Sequence, residues 1–286
     1  MTVHRISPGA GVMYGIVVVV ILTLGGCDDY QDSGFAFSVI SYNVGDYEGP
    51  QPTTAQVGNL LLKHGVPDVL FIQNTPWLLE IKDLAKLIGL PYFVAGKESS
   101  PRNTLGILSR FPLRDANVIL FQGGVPQPAA MCAKTTIATK DVLLCSLHLQ
   151  SFSNKIRPDK HTGKLKWTAL SRVVREELFG DTQRSLSVDQ FLNWLDLKPA
   201  DAIIVGGDFN SFPLSKPIRA MSSRFKDAFW PSWNYFRGTY KGLDSPIKPR
   251  PDFIFSSESV VCIDTRIVTE SAGDHYPIQA RLELHE

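Results

Sequence analysis

The chain has 286 residues, of which 44% are hydrophobic and 20% are charged, and its formal net charge is +1. This balance gives the protein no global positive field, which argues against a dedicated polynucleotide-binding protein, although a local groove could still be basic. The length suits one large domain, and the sequence shows no internal repeat, low-complexity tract or linker-like stretch inside it.

The N-terminal segment, residues 1–26, has the pattern of a bacterial export signal. Arg5 supplies a positive start, and an apolar run follows from 12 to 24. That run is shorter than the roughly 20 apolar residues of a membrane-spanning helix. It ends at Gly25-Gly26 and Cys27, which resembles a lipobox. We therefore expect Cys27 to be lipidated and to begin the mature chain; an ordinary signal peptide or anchor helix with a chance cysteine is the alternative.

Cleavage before Cys27 would remove one cation and no acid, which leaves 28 basic and 28 acidic residues. We expect residues 27–34 to form a short tether and residues 35–286 to form the folded domain. Asp28 and Asp29 resemble the inner-membrane retention signal of enterobacterial lipoproteins. We expect a location in the bacterial cell envelope, on the periplasmic side, with the membrane bound through the lipid.

Beyond the tether, strand-like and helix-like segments alternate along the chain. Strands are predicted at Phe35–Asn43, Val69–Gln73, Tyr92–Ala95, Thr104–Ser109, Val118–Phe121, Ala130–Thr139, Val142–Leu149, Ala202–Val205, Asp252–Phe255, Ile263–Thr269 and Pro277–Glu283. Helices are predicted at Thr54–His64, Trp77–Ile88, Thr168–Leu178 and Ser187–Leu195. The section from 211 to 249 is rich in loops. This alternation, with hairpins, predicts a mixed-sheet α/β domain.

The cysteines beyond Cys27 are Cys132, Cys145 and Cys262. An export signal implies an oxidising compartment, and the first two of these lie on neighbouring strand-like runs. A cross-strand disulfide between Cys132 and Cys145 and three buried free thiols are both consistent with the sequence.

The most informative motif follows the apolar run Ala202–Val205. Gly206 and Gly207 are expected to let the backbone turn sharply as a buried strand ends. Asp208 and Asn210 would then stand at the carboxyl edge of the strand, where α/β sheets present their chemistry. A surface turn that uses an acid and an amide for backbone reasons is the alternative.

Further short motifs occur in a fixed order. They are Ser41-Tyr42-Asn43-Val44, Pro67–Asn74, Gly106–Pro112, Leu147-His148-Leu149, Arg250–Phe255 and Gly273–Ile278. With the Gly-Gly-Asp-Phe-Asn motif, this series resembles the endonuclease/exonuclease/phosphatase superfamily from about Phe37 to Leu284. The resemblance implies an α/β fold of two packed mixed β-sheets flanked by helices, a four-layer sandwich with the site at one end.

The resemblance also implies phosphoester hydrolysis and assigns a role to each matched side chain. Asp208 would orient and deprotonate the attacking water, and Asn210 would hold this water or a phosphate oxygen. His275 would donate to the phosphate, while Asp252 would orient its ring and raise its pKa. His148 would be a second phosphate donor. Each residue taken singly also fits a turn, a strand start or a buried histidine.

Asn43, Asn74 and Asp274 match the positions at which the family holds a divalent cation, Mg²⁺ or Mn²⁺. The match is incomplete, because the family has a glutamate where this chain has Asn74. An amide keeps a short oxygen acceptor but loses the charge that Mg²⁺ prefers. Asp46 or Glu48 could supply a replacement carboxylate.

Two surfaces could contact the substrate. Lys155 and Arg157 belong to a basic stretch from 151 to 167 that follows His148, so we expect them to bind phosphate; a solvated loop is the alternative. Aromatic residues crowd the section from 230 to 240. They could stack on a base, insert into lipid or cover the core, and the core interpretation is favoured.

The sequence thus predicts a membrane-tethered, extracytoplasmic, metal-dependent phosphohydrolase. It would cleave a phosphodiester or phosphomonoester by in-line attack of activated water, and it is expected to be a monomer. Nucleic acid, a phospholipid head group and a sugar phosphate all remain open as substrates. The alternative is a weakened family member that, because of Asn74, binds a phosphorylated ligand without efficient turnover.

Overall fold

A computed structural model describes residues 34–45, 49–75, 78–97, 104–123, 128–152, 167–232, 235–242 and 248–285. In these ranges, two six-stranded sheets pack face to face and helices cover their outer faces. This is the predicted four-layer α/β sandwich. Within the same ranges, every helix is too short or too polar to cross a bilayer.

The first sheet is mixed. In spatial order it contains β11 (Val260–Ile267), β12 (Ile278–Leu284), β1 (Phe35–Asn43), β2 (Val69–Thr75), β4 (Thr104–Ser109) and β3 (Tyr92–Lys97). The β1 and β2 strands run parallel, and their neighbours pair antiparallel. Asn43 and Gln73 are partners in this register, so β1 and β2 deliver their polar ends to the same edge.

The second sheet repeats this plan. In spatial order it contains β5 (Arg114–Leu120), β6 (Ala129–Ile137), β7 (Lys140–His148), β8 (Ala202–Asp208), β10 (Asp252–Ser256) and β9 (Lys226–Asp227). Its parallel pair is β7 with β8. The parallel pairs of the two sheets therefore both terminate at the same end of the sandwich.

The described helices are α1 (Thr54–His64), α2 (Leu78–Ile88), α3 (Trp167–Phe179), α4 (Gln183–Leu195) and α5 (Lys216–Ser222). The α1 and α2 helices cover the first sheet, and α4 covers the second. The predicted start of α4 at Ser187 was wrong, because Thr182 caps the helix by accepting a hydrogen bond from the Ser185 N–H at 3.3 Å. The α5 helix lies in the section predicted as loops and begins after Ser215 with Pro217 in its first turn.

The predicted turn at Gly206 and Gly207 was also wrong. The β8 strand continues through both glycines to Asp208. A Cβ atom on Gly206 would clash with the Phe71 ring, and one on Gly207 would clash with Leu147. The glycines are therefore required because neighbouring groups approach the backbone closely, and they leave the strand straight enough to carry Asp208 into the interior.

The cysteines within the described ranges form one disulfide and one free thiol. Cys132 and Cys145 face each other across β6 and β7, 4.1 Å apart between Cα atoms, and are joined. Cys262 is a free thiol, and burial raises its pKa to about 11. Of the two arrangements left open by the sequence, the structure has the cross-strand disulfide.

A thin polar layer separates the apolar core from the end of the sandwich. Gln73 Nε2 donates to Ser146 Oγ at 3.0 Å and to Ser41 Oγ at 3.4 Å, and all these side chains are buried. Asn43 and His148 lie two residues further along β1 and β7, on the same faces as Ser41 and Ser146. The inner faces thus change from apolar to polar toward one end.

Candidate active site

Strand register places part of the predicted site in one row across the second sheet. Asp208 is paired with His148 on one side and with Asp252 on the other. Since all these side chains leave their strands toward the first sheet, they meet between the sheets at the end reached by β1. Pairing of β7, β8 and β10 therefore accounts for this part of the constellation.

Asp208 is at the centre of the cluster and is 1% exposed. Its Oδ2 atom accepts hydrogen bonds from Asn43 Nδ2 at 2.8 Å and from Asn210 Nδ2 at 3.2 Å. Its Oδ1 atom accepts from the Asn210 backbone N–H at 2.7 Å. These donors hold the carboxylate in one orientation and favour its ionised form.

Two imidazoles flank this carboxylate. His148 Nε2 and His275 Nε2 each lie 3.8 Å from Asp208 Oδ2. His275 Nδ1 lies 2.9 Å from Asp252 Oδ2, which also accepts a hydrogen bond from Thr239 Oγ1 at 2.5 Å. The contact between His275 Nδ1 and Asp252 fixes the ring and leaves Nε2 directed at the space beside Asp208.

Burial and charge act against each other on these groups. Burial alone would lower the pKa of His275, but the carboxylates of Asp252 and Asp208 outweigh it and raise the pKa to about 9. Burial raises the pKa of Asp208, against the opposing effect of the two imidazoles. His275 is therefore an imidazolium at neutral pH, and the Asp208 carboxylate is more basic than an exposed one.

The predicted cation ligands converge on Gly45. Its N–H donates to Asn43 Oδ1 at 3.0 Å, and its carbonyl oxygen accepts from the Asp274 N–H at 3.2 Å. A Cβ atom on Gly45 would clash with the side-chain amide of Asn74. Asn43, Asn74 and Asp274 thus surround a short stretch of backbone beside the Asp208 cluster.

This donor set fits a hard divalent cation, although with little charge. Asp274 supplies one carboxylate, and Asn43 and Asn74 supply amide oxygens, all of which are ligand types that Mg²⁺ accepts. Asp208, Asp252 and His275 also lie close enough together to hold a metal ion. In that cluster Asp252 Oδ1 is buried without a hydrogen-bond partner among the described residues, while Oδ2 contacts His275 Nδ1.

Asn74 has a left-handed backbone, with φ of 58°. Asparagine tolerates this conformation better than glutamate does, because its short polar side chain can form local hydrogen bonds. The departure from the family pattern at this position therefore coincides with a backbone conformation that suits the residue present.

The structure brings together eight of the residues predicted from the motifs, which are Asn43, Asn74, His148, Asp208, Asn210, Asp252, Asp274 and His275. Lys155, Arg157 and Cys27 lie outside the described residues, as do Asp46 and Glu48. Their assignments remain predictions.

Two buried residues close to the motif residues were missed. Thr239 binds Asp252, and Arg250 is buried, with Nη2 2.6 Å from Asp227 Oδ2 and its guanidinium 4.1 Å from the Phe253 ring centre. Thr239 lies in the loop-rich section, where no local pattern marks it. Arg250 is part of the motif Arg250–Phe255, and its place in that motif, next to Pro251, was the sequence feature that could have identified it.

The aromatic section divides between core and surface. Tyr235 is buried and its ring lies 4.9 Å from the Arg250 guanidinium, whereas Trp230 and Phe236 are 64% and 65% exposed. Tyr235 belongs to the core, and the more exposed rings of Trp230 and Phe236 pack against it, with 4.9 Å and 4.7 Å between ring centres. Tyr240 lies against His275, with 5.0 Å between ring centres.

Comparisons with solved structures agree on the fold. An endonuclease/exonuclease/phosphatase family protein from Bacteroides thetaiotaomicron matches with a TM-score of 0.67 and 16% identity, over 90% of this chain and 100% of that one. A mannosyl-6-phosphatase from the same species matches with a TM-score of 0.66 and 16% identity, over 86% and 99%. Humanized TDP2 from D. rerio matches with a TM-score of 0.65 and 18% identity, over 86% and 98%.

No curated protein matches the chain. The model of the Endonuclease/Exonuclease/phosphatase family, in contrast, matches residues 40–275, a span that includes Asn43 at one end and His275 at the other. This match covers most of the sequence and all of the clustered side chains described above. The chain therefore belongs to the endonuclease/exonuclease/phosphatase family.

Proposed function

We propose that this protein is a phosphohydrolase whose attacking water is activated by Asp208. The observation that carries the proposal is the setting of this carboxylate, which Asn43 and Asn210 orient between the imidazoles of His148 and His275. A buried base beside a fixed imidazolium can accept a proton from water while positive charge faces the phosphate. Family membership supports the same class of reaction.

In the proposed reaction, a water molecule lies between Asp208 and the phosphorus atom. Asp208 accepts its proton, and Asn210 holds the water in line with the leaving oxygen. His275 donates from Nε2 to a phosphate oxygen, and Asp252 keeps Nδ1 protonated by accepting its hydrogen bond. His148 offers a second donor on the opposite side of the carboxylate.

Asp274, Asn43 and Asn74 would hold the divalent cation, Mg²⁺ or Mn²⁺. When bound, such an ion neutralises phosphate charge and stabilises a departing oxyanion. Because only one of these residues is a carboxylate, we expect weaker cation binding than with a second one. This supports the alternative of a chain that binds a phosphorylated ligand and turns it over slowly.

Two observations bear on the substrate class. The balanced charge of the chain argues against long nucleic acid. Among the structural relatives, one is named a mannosyl-6-phosphatase and another was solved with a single-stranded DNA product. We favour a small phosphate ester such as a sugar phosphate, acted on by a lipid-anchored monomer in the cell envelope.

The test uses the soluble fragment that begins at Asp28. It is incubated with p-nitrophenyl phosphate, bis-p-nitrophenyl phosphate, a panel of sugar phosphates and single-stranded DNA, with Mg²⁺, Mn²⁺ or EDTA. Turnover that EDTA abolishes, and that Asp208→Ala abolishes in the same preparation, is the expected result. Binding of a phosphate ester without turnover under every condition would replace the hydrolase with the ligand-binding alternative.

A further inference from the structure

A buried ion pair lies behind the proposed site, in the helical layer outside the second sheet. Glu177 is near the end of α3, Arg184 is in the first turn of α4, and their side chains are 0% and 4% exposed. Arg184 Nη2 donates to Glu177 Oε1 at 2.5 Å. None of the proposed catalytic steps uses either residue.

Each partner of this pair also holds one loop of the site. Arg184 Nη1 donates to the Gln150 carbonyl oxygen at 2.8 Å, and the guanidinium carbon lies 3.8 Å from the centre of the Phe152 ring. Glu177 Oε2 accepts a hydrogen bond from Ser211 Oγ at 2.9 Å. The pair therefore contacts both the loop after β7 and the loop after β8.

The first loop directly follows His148, the last residue of β7, the second contains Asn210, and the two loops are joined to each other. The Leu149 N–H donates to the Asp208 carbonyl oxygen at 2.9 Å. Asn210 Nδ2 returns a bond to the Leu149 carbonyl oxygen at 2.8 Å. A shift of either loop would therefore move the donor that orients the Asp208 carboxylate and the imidazole beside it.

A purely stabilising role is a weak explanation for the pair. Removing two charges from water is unfavourable, and an apolar pair of similar volume often stabilises a protein as well or better. The contacts to Gln150 and Ser211 give the pair a second role, because charge-assisted hydrogen bonds set position more narrowly than apolar packing does.

We propose that Glu177 and Arg184 are positioning residues that hold His148 and Asn210 in the geometry required for hydrolysis. This proposal rests on the proposed function. Since a displacement of about 1 Å at a reacting group can lower turnover about a hundredfold, loss of the pair should act on kcat. Substrate affinity should change little, because neither side chain faces the substrate.

The decisive variant is Glu177→Leu combined with Arg184→Met in the full chain, since it removes both charges together. We expect kcat to fall by about a hundredfold, with KM within about twofold and cooperative thermal unfolding retained. The control is Asp196→Asn combined with Arg224→Gln. It removes an exposed ion pair from the same helical layer, at the end away from the site, and should leave kcat unchanged.

Amide hydrogen exchange without substrate separates this proposal from the proposed function. Exchange at 149–152 and 209–213 should become faster in the double variant and stay unchanged in the control. Faster exchange in the double variant of a protein whose wild type hydrolyses nothing would rule out the hydrolase and retain only the placement of the two loops by the ion pair. Unchanged exchange and unchanged kcat in an active enzyme would overturn the positioning role. Should the double variant not fold, Ser211→Ala decides: it keeps the ion pair, and an unaltered kcat there would overturn the proposal.

Discussion

Asn43 and Asp208 connect the two sheets of the sandwich at the site: Asn43 Nδ2 donates to Asp208 Oδ2 over 2.8 Å. The same Asn43 side chain accepts from the Gly45 N–H through Oδ1, which leaves its amide oriented in one way. Asn43 thus bridges the proposed water-activating carboxylate and the proposed cation ligands. The Asn43 side chain therefore sets the distance between the Asp208 carboxylate and the proposed cation ligands.

Asp208→Asn should abolish turnover while the protein still folds. The substitution keeps the volume of the buried side chain but removes the group that accepts the proton from water, so kcat should fall by about 10²–10⁴-fold. Steady-state kinetics and thermal unfolding of the same sample check both parts. Asp264→Asn, an exposed change on β11, is the control. Retention of wild-type kcat in Asp208→Asn would remove the mechanism.

The pKa of the His275 imidazole should be about 9 in the metal-free protein, and Asp252→Asn should lower it. Burial opposes the charged ring, and the carboxylates overcome it, so removing the contacting carboxylate leaves burial with less opposition. Imidazole NMR titration in EDTA, with His275→Gln for assignment, measures both values. A value near the ordinary 6.5 in the wild type would contradict the ion pair.

The same raised pKa of His275 predicts how stability depends on pH. The folded state binds the proton more tightly than the unfolded chain, so the stabilisation is complete below about pH 6.5 and is lost as the pH rises through about 9. The difference in unfolding free energy between wild type and His275→Gln should therefore shrink over this window. Chemical denaturation at a series of pH values measures that difference, and a constant difference from pH 6 to pH 10 would refute it.

Asn74→Asp should strengthen Mg²⁺ binding more than Asn74→Glu does. Both add a carboxylate, but aspartate tolerates the left-handed backbone at this position, whereas a glutamate that relaxes to another conformation in the free protein would spend about 1 kcal/mol of binding free energy to return to it. We expect Asn74→Asp to raise affinity about tenfold, equivalent to about 1.4 kcal/mol. Calorimetric titration with Mg²⁺ and Mn²⁺, beside turnover at low Mg²⁺, gives the answer.

Asn117→Asp, an exposed change on β5, controls for added charge alone. If both Asn74 variants bind Mg²⁺ as the wild type does, the cation is held elsewhere. If the wild type already turns over at micromolar Mg²⁺, another ligand replaces the missing carboxylate, and the weakened-member alternative fails.

Cys27→Ser should abolish lipid attachment and leave the chain either released or unprocessed. The reason is chemical, because the thiol is the acceptor for the lipid and a hydroxyl is a poor substitute. Metabolic labelling with a fatty-acid probe in a bacterial host, followed by membrane fractionation, measures both effects. Cys262→Ser serves as the control cysteine change. Absence of label on the wild type would rule out the lipoprotein interpretation.

Local patterns in the sequence were sufficient for many of the predictions. Short β-branched runs such as the one before Gly206 identified strands, and the polar residues at their ends identified the edge that holds the site. The order of the motifs was enough to place Asp208, Asp252 and His275 in one family and to expect a four-layer sandwich. These features depend on neighbours in sequence, and neighbours in sequence are what a pattern shows.

Tertiary structure decided the rest. Phe71 packs against Gly206, where the strand continues instead of bending as predicted. Asn43 and Asp208 are 165 residues apart in sequence and meet only because the two sheets pack together. Thr239 and the Glu177 side chain carry no local signal, because their roles come from loops and helices that meet only after the sheets pack. Hydrogen bonds act over about 3 Å, so partners distant in sequence are selected by packing, which the linear pattern does not contain.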